Sequence, residues 1–149
     1  MILPAQKIRQ VMPVIPFHER TIVNGMSFGL SHAGYDVRIA ETVWLHAGDF
    51  CLASTKELFV MPNDLIAMVH DKSTWARRGL SLFNTVIEPG WTGYLTLELV
   101  NNSDKLLKIE NGDPIAQIVF MRLEELTETP YSGKYQNQEA GPQAARSEK

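Results

Sequence analysis

Short stretches of alternating apolar and polar positions, separated by frequent turn-forming residues, make up most of the chain. The turn signals include Pro and Gly pairs and Asn-Asp or Asn-Gly runs, for example at 62–64, 89–90 and 111–114. Short strands bounded by turn signals at intervals of roughly 8–12 residues are typical of an all-β sandwich or barrel. The pattern predicts strands within residues 35–39, 42–45, 50–54, 65–69, 94–100 and 115–121.

Only residues 4–12 and 71–78 have helical character. Residues 71–78 begin with two candidate N-caps, Asp71 and Ser73, whose side chains could accept a hydrogen bond from the first helical turn. Gly79 is predicted to end that helix. Both helices are expected to be short additions to a β fold.

Composition narrows the class of protein. A chain of 149 residues, 44% hydrophobic and 21% charged, is the size of one globular domain. Cys51 is the single cysteine, which excludes an intrachain disulfide and a multi-cysteine zinc site. The net charge of −3 argues against general nucleic-acid binding, and there is no apolar run of about 20 residues that could span a membrane. The start lacks the long apolar stretch of a secretory signal, so a cytoplasmic location is expected.

The composition changes near Thr127. From there to Lys149 the apolar residues are few, and Gly, Ser, Gln, Glu and Lys predominate. The sequence therefore predicts a core over residues 1–126 and a polar C-terminal arm over residues 127–149. Composition alone fits a frayed terminus equally well.

Glu98 is an unusual residue for a predicted strand. The period of two places Leu95, Leu97 and Leu99 on one face and Glu98 on the other. Exposure to solvent is the commoner situation for such a glutamate. If the face instead borders a pocket, burial raises the pKa of Glu98 and suits it to proton transfer near neutral pH.

Ser73 and Arg77 lie four residues apart, so they share one face of the second helix. With Lys72 beside them, the helix N-terminus could receive an anion. A capping serine and a solvated arginine explain the same spacing. In the arm, Lys134 and its neighbours could close over a phosphorylated ligand. The four histidines show no metal-ligand spacing, so no metal site built from protein side chains is expected.

Several motifs in this order resemble the dCTP deaminase branch of the trimeric dUTPase superfamily. The most specific is Lys72-Ser73-Thr74-Trp75-Ala76-Arg77, which is similar to the deaminase pattern Arg-Ser-Ser-x-Ala-Arg, and Glu98 falls at the position of the deaminase glutamate. The other matching segments are 1–3, 34–38, 48–55, 61–65, 88–93, 111–120 and 134–141.

The resemblance implies a distorted β-barrel or jelly roll with short helices. It also implies a homotrimer with three active sites shared between subunits. The expected reaction is hydrolytic, metal-free deamination of dCTP to dUTP and ammonia, with Mg²⁺ bound through the triphosphate of the substrate. dTTP is a candidate inhibitor.

The resemblance also implies roles for individual residues. Glu98 would activate the water and protonate the leaving nitrogen. Arg77 would stabilise developing charge and orient Glu98, and Ser73 would contact phosphate or the activated water. Nucleotide-binding roles fall to Lys72, Thr74, Glu88, Tyr131, Lys134, Tyr135 and Gln138, with Glu88 beside the deoxyribose 3′-hydroxyl.

The chain departs from the deaminase pattern in three places. It is shorter before Gly48, Lys72 replaces an arginine, and two residues are missing near Asn84-Thr85. A bifunctional enzyme that continues to dUMP is compatible with the same motifs. The alternatives are a dUTPase, which hydrolyses dUTP to dUMP and pyrophosphate, and a nucleotide-binding trimer without turnover.

Overall fold

The structure is a computed structural model, and it describes residues 1–148. Short strands account for most of its regular structure, and the two helices in this part of the chain are brief. The elements are α1 (Ala5–Val11), β1 (Val14–Ile15), β2 (Thr21–Val23), β3 (Met26–Leu30), β4 (Tyr35–Arg38), β5 (Val43–Leu45), β6 (Phe50–Val60), β7 (Leu65–Asp71), α2 (Ser73–Ala76), β8 (Leu80–Leu82), β9 (Val86–Ile87), β10 (Thr92–Asn101), β11 (Leu107–Ile109) and β12 (Pro114–Arg122).

The strands form three antiparallel sheets. One has the order β1-β6-β10-β8, a second has the order β2-β3-β4-β12-β7-β9, and β11 pairs with β5. Their apolar faces enclose a single core cluster that draws on both large sheets. Its fully buried members include Val37, Leu97, Leu99, Ile118 and Phe120. The all-β fold predicted from the alternating pattern is confirmed.

All six predicted strands are present, and several are longer than the pattern indicated. The largest extension is β6, which continues from the predicted Ser54 to Val60. The strands absent from the prediction are two to five residues long: β1, β2, β3, β8, β9 and β11. Such short strands exist because a distant partner pairs with them, and local propensity gives them little signal.

The second helix is one turn long and begins at Ser73, one residue later than a helix with Asp71 as its N-cap would begin. Its N-cap is Lys72, with no side-chain cap, so the prediction of Asp71 or Ser73 as N-cap is wrong. Asp71 still belongs to β7, and its carboxylate accepts the Leu82 N–H at 2.8 Å. Gly79, with φ +91°, follows the helix as predicted, since this backbone conformation disfavours other residues.

Neither helix among residues 1–148 is long and apolar enough to cross a membrane.

Candidate functional site

A cavity of about 530 Å³ opens between β10, residues 83–88 with the short strand β9, and the C-terminal arm. Its walls are mainly apolar and aromatic, with a few polar groups converging on it, as in small-molecule sites. The apolar part includes Phe50, Leu52, Phe83, Val86, Trp91 and Leu95. The polar part includes Asn84, Glu88, Thr96, Glu98, Tyr135 and Gln138.

A bulge in β6, opposite Leu95 of β10, shapes the floor of this cavity. Tyr94 pairs with Leu58 on β6, whereas Thr96 pairs with Ser54, so the register shifts between them. At the irregularity the Leu95 N–H donates to Oγ1 of Thr55 at 3.1 Å. As a result Leu95 also borders the cavity, while the next two leucines of the predicted apolar face lie in the core.

Glu98 borders the cavity. Of the two orientations considered from the sequence, exposure to solvent and a position at a pocket, the structure shows the second. Its side chain is half-buried, and burial alone raises the pKa of the carboxyl group from its usual value of 4.5. A carboxylate that is partly removed from water binds a proton more readily, because burial disfavours the charged form. The site therefore holds one carboxyl group suited to accepting and returning a proton.

Loop residues 83 and 84 fix the backbone of Glu98. The Phe83 N–H donates to the Glu98 carbonyl at 2.9 Å. The Asn84 Oδ1 accepts the Glu98 N–H at 3.0 Å, and the Asn84 Nδ2 donates to the Thr96 carbonyl at 2.7 Å. The strand is thus held on the side that faces the loop.

Helix α2 is tied to the core by two side chains. The Lys72 Nζ bonds the Asp36 Oδ2 at 2.9 Å in a largely buried pair, and the Trp75 Nε1 donates to the Pro114 carbonyl at 2.8 Å. Burial raises the pKa of Asp36, while the bond from Lys72 acts in the opposite direction. These contacts position Ser73 and Arg77 on the surface.

The predicted residues of the α2 region do not line the cavity of their own chain. Ser73 and Arg77 are exposed, Thr74 is half-buried, and Lys72 is buried against its partner carboxylate. Among residues 1–148 the charged side chains lining the cavity are those of Glu88 and Glu98. One chain therefore brings Glu98 to the cavity and leaves the α2 residues elsewhere on its surface.

The arm folds back onto β10 instead of fraying. Gln138 forms a parallel bridge with Gly93, and its Nε2 donates to the Tyr94 carbonyl at 2.8 Å and to the Thr96 Oγ1 at 3.1 Å. The Trp91 Nε1 donates to the Tyr135 carbonyl at 2.7 Å. Both amide hydrogens of Gln138 are used in this way, so a phosphate contact through Nε2 exchanges one of these bonds.

The close approach of the arm to β10 requires a glycine at position 93. A Cβ at Gly93 would lie 2.6 Å from the Trp91 ring and 2.9 Å from the Gln138 backbone nitrogen. Tyr131 supports the arm from within, since its hydroxyl accepts the Tyr135 N–H at 3.1 Å. The arm thus supplies Tyr131, Tyr135 and Gln138 to the cavity wall.

Lys134 lies outside the cavity lining and pairs with Glu148, Nζ to Oε1 at 3.1 Å. Sequence reasoning missed Gln143 and Ala145, which also line the cavity, and Arg146, which donates to the Lys134 carbonyl at 3.0 Å. Their segment lacks a strand or helix pattern, so only the folded arm brings them to the site. Hydrophobic patterning could not have identified them.

Comparison with known proteins places this architecture in a family. The family model described as dCTP deaminase-like matches residues 34–123. The chain is 36% identical over 157 aligned residues to a dCTP deaminase of Campylobacter fetus subsp. fetus, covering 83% of this chain and 84% of that protein. It is 32% identical to the dCTP deaminase of Pyrococcus horikoshii, covering 91% and 92%.

Solved structures of dUTPases share the fold. The native EIAV dUTPase is 21% identical and covers 70% of this chain and 87% of its own, with a TM-score of 0.58. The dUTPase of phage phi11 of S. aureus is 19% identical, covers 76% and 90%, and has a TM-score of 0.58. With the family match spanning the strand that carries Glu98 and the turn that carries Ser73 and Arg77, the chain belongs to the dCTP deaminase-like family.

Proposed function

We propose that this protein deaminates dCTP to dUTP and ammonia, with Glu98 as the catalytic proton carrier. The observation that carries the proposal is the Glu98 carboxylate at an apolar cavity, with its pKa raised by burial. A general base works best when its pKa lies near the working pH, and partial burial moves Glu98 in that direction. Membership of the family supplies the reaction class.

In the proposed reaction Glu98 takes a proton from water as the water oxygen attacks C4 of cytosine. The resulting intermediate loses the C4–N4 bond after Glu98 delivers that proton to the amino nitrogen, which leaves as ammonia. The second proton of the water ends on N3, so C4 becomes the carbonyl carbon of uracil. One carboxyl group therefore serves as base and then as acid.

The cations needed by a triphosphate are proposed to come partly from a neighbouring copy. Ser73 and Arg77 are exposed on α2 and absent from the cavity of their own chain, so they are available to a second chain. In a homotrimer with cyclic symmetry each copy would receive these residues and donate its own. Arg77 would then orient Glu98 and stabilise developing charge, with Ser73 contacting phosphate or water.

The remaining residues are proposed to bind the nucleotide. Glu88 lies at the cavity rim, where it would contact the deoxyribose hydroxyl. The arm, proposed to act as a lid, carries Lys134, Tyr135 and Gln138, of which Gln138 also anchors it to β10. Thr74 and Tyr131 complete the proposed set together with Lys72, whose contact with a phosphate would exchange its buried bond to Asp36.

Mg²⁺ is proposed to enter on the triphosphate of the substrate. A solved phi11 phage dUTPase is described as coordinating a structural Mg(II) ion. We further propose dTTP as an inhibitor, since its triphosphate and deoxyribose match those of the substrate.

The test incubates the protein with dCTP and separately with dUTP, each with Mg²⁺, and measures ammonia and pyrophosphate. Ammonia from dCTP that disappears in Glu98→Gln supports the proposal. Glu124→Gln is the matched control, because Glu124 is exposed and lies after β12, outside the cavity lining. That variant is expected to keep wild-type activity.

Two results would contradict the proposal. Pyrophosphate from dUTP without ammonia from dCTP would assign dUTPase chemistry instead. Binding of dCTP without any product would assign a nucleotide-binding protein. Ammonia from dCTP followed by pyrophosphate would retain the deamination step and add dUMP formation.

A further inference from the structure

The side chain of Asn84 forms hydrogen bonds to β10 beyond the point where the strand pairing between β8 and β10 ends. Strand β8 pairs with β10 only as far as Leu82, which lies opposite Leu99. Beyond that point the Asn84 Nδ2 donates to the Thr96 carbonyl at 2.7 Å, and its Oδ1 accepts the Glu98 N–H at 3.0 Å. An amide group can replace a strand neighbour in this way because it carries a donor and an acceptor side by side.

The bonds from Asn84 lie beside the segment of β10 whose pairing with β6 is irregular. The register between β10 and β6 shifts between Tyr94 and Thr96, and Thr96 lies two residues before Glu98. On the opposite edge, the bonds from Asn84 and the single bond from the Phe83 N–H hold the strand. Without Asn84 the Glu98 N–H loses its partner, and the backbone that aims the carboxyl group into the cavity gains freedom.

We infer that Asn84 is a positioning residue for Glu98 in the deamination of dCTP. The inference rests on the proposed function, because it assigns Asn84 to the orientation of the proton carrier in that reaction. Asn84 itself lines the cavity, so its loop forms the wall and holds the catalytic strand at the same time. Displacement of a catalytic group by about 1 Å can lower a rate about 100-fold.

The experiment measures ammonia release from dCTP across a pH series for wild type, Asn84→Ala and Asn84→Asp. Asn84→Ala is expected to lower kcat about 10- to 100-fold while KM changes less than about threefold. Asn84→Asp keeps an acceptor for the Glu98 N–H but adds a negative charge. That charge is expected to raise the pKa of Glu98 further and move the acid limb of the kcat profile to higher pH.

The other titratable groups at the cavity are Glu88, Tyr131 and Tyr135, and all three are unchanged in both variants. Asn102→Ala is the matched control, since the Asn102 Nδ2 donates to the Ser81 Oγ at 2.8 Å beyond the far end of the same strand pair. This variant removes an amide that follows β10 and bonds to β8 away from Glu98, and it is expected to keep the wild-type kcat and pH profile.

An Asn84→Ala variant with kcat within about twofold of wild type would overturn the inference, as would a change confined to KM. If Asn84→Ala does not fold, Asn84→Asp decides: an acid limb at higher pH supports the role, and an unchanged limb overturns it. Failure of the proposed function has a different signature, because wild type itself would then release no ammonia.

Discussion

Lys72 and Asp36 form a largely buried ion pair that joins the start of α2 to β4. The Nζ to Oδ2 distance is 2.9 Å, and about a tenth or less of either side chain is exposed. Lys72 is also the N-cap residue of the turn that carries Ser73 and Arg77. The pair therefore fixes the surface position of two proposed catalytic residues from inside the core.

Lys72→Ala is expected to lower the free energy of unfolding by about 3 kcal/mol, because it leaves the Asp36 carboxylate buried without its partner. Urea unfolding at pH 7 measures the change. Lys108→Ala is the control, since its pair with Glu110 is about half exposed and should be worth under about 1 kcal/mol. Equal losses in the two variants would contradict a structural role for the buried pair.

Gly93→Ala is expected to release the arm. The added Cβ would lie within 3 Å of the Trp91 ring and the Gln138 backbone nitrogen, both part of the arm attachment. We expect faster proteolytic cleavage of residues 127–148 and a KM for dCTP raised about tenfold, with core stability reduced less. Wild-type protection of the arm in this variant would show that the contact at Gly93 does not hold it.

Glu98→Gln is expected to stabilise the fold at neutral pH. The folded pKa of Glu98 lies above its usual value of 4.5 because of burial, so the cost of burying its charge develops as pH rises through the folded pKa. Below about pH 4.5 the group is protonated in both states and the cost vanishes. Thermal unfolding should therefore give a higher Tm for the variant at pH 7 and none of this advantage at pH 4.

A difference in Tm that stays constant between pH 4 and pH 7 would contradict a pKa of Glu98 raised by burial. The variant Glu124→Gln, which is also the control in the activity assay, is expected to show no such pH dependence, since Glu124 is exposed and lies outside the cavity lining.

Mixing two variants tests the proposal that one site of a homotrimer draws residues from two chains. Glu98→Gln and Arg77→Ala are each expected to be inactive as pure proteins. Refolding the two together in equal amounts should restore roughly one quarter of the wild-type activity, because each site needs Glu98 from one copy and Arg77 from its neighbour. No recovery would place both residues at a site within a single chain.

The alternating pattern predicted the longer strands and the faces of β10 from Leu97 onward, because burial in one core imposes a period of two. Leu95, predicted to share the core face, borders the cavity instead. It missed short strands such as β8 and β9, which depend on partners distant in sequence. It also could not reveal the bulge in β6 opposite Leu95, since a register shift depends on both strands. The motifs located Glu98 and the arm, while composition left the arm's structure open.

The positioning contacts were the least predictable part of the site. The sequence placed Asn84 in a shortened loop and gave its side chain no role, because its two bonds to β10 exist only where the loop returns to that strand. The same holds for the segment around Gln143, which reaches the cavity through the folded arm. The contacts of these residues depend on the tertiary fold, so the local sequence around them could not predict that they would reach the site.

Water that attacks C4 of cytosine, with Glu98 as proton carrier, leaves its oxygen in the uracil base of the product. The most direct measurement is mass spectrometry of the product formed from dCTP in water enriched in the heavy oxygen isotope. We expect one heavy oxygen in the uracil base of the product, one ammonia released per product, and neither with Glu98→Gln. Heavy oxygen in a phosphate, with an unlabelled base and no ammonia, would contradict it.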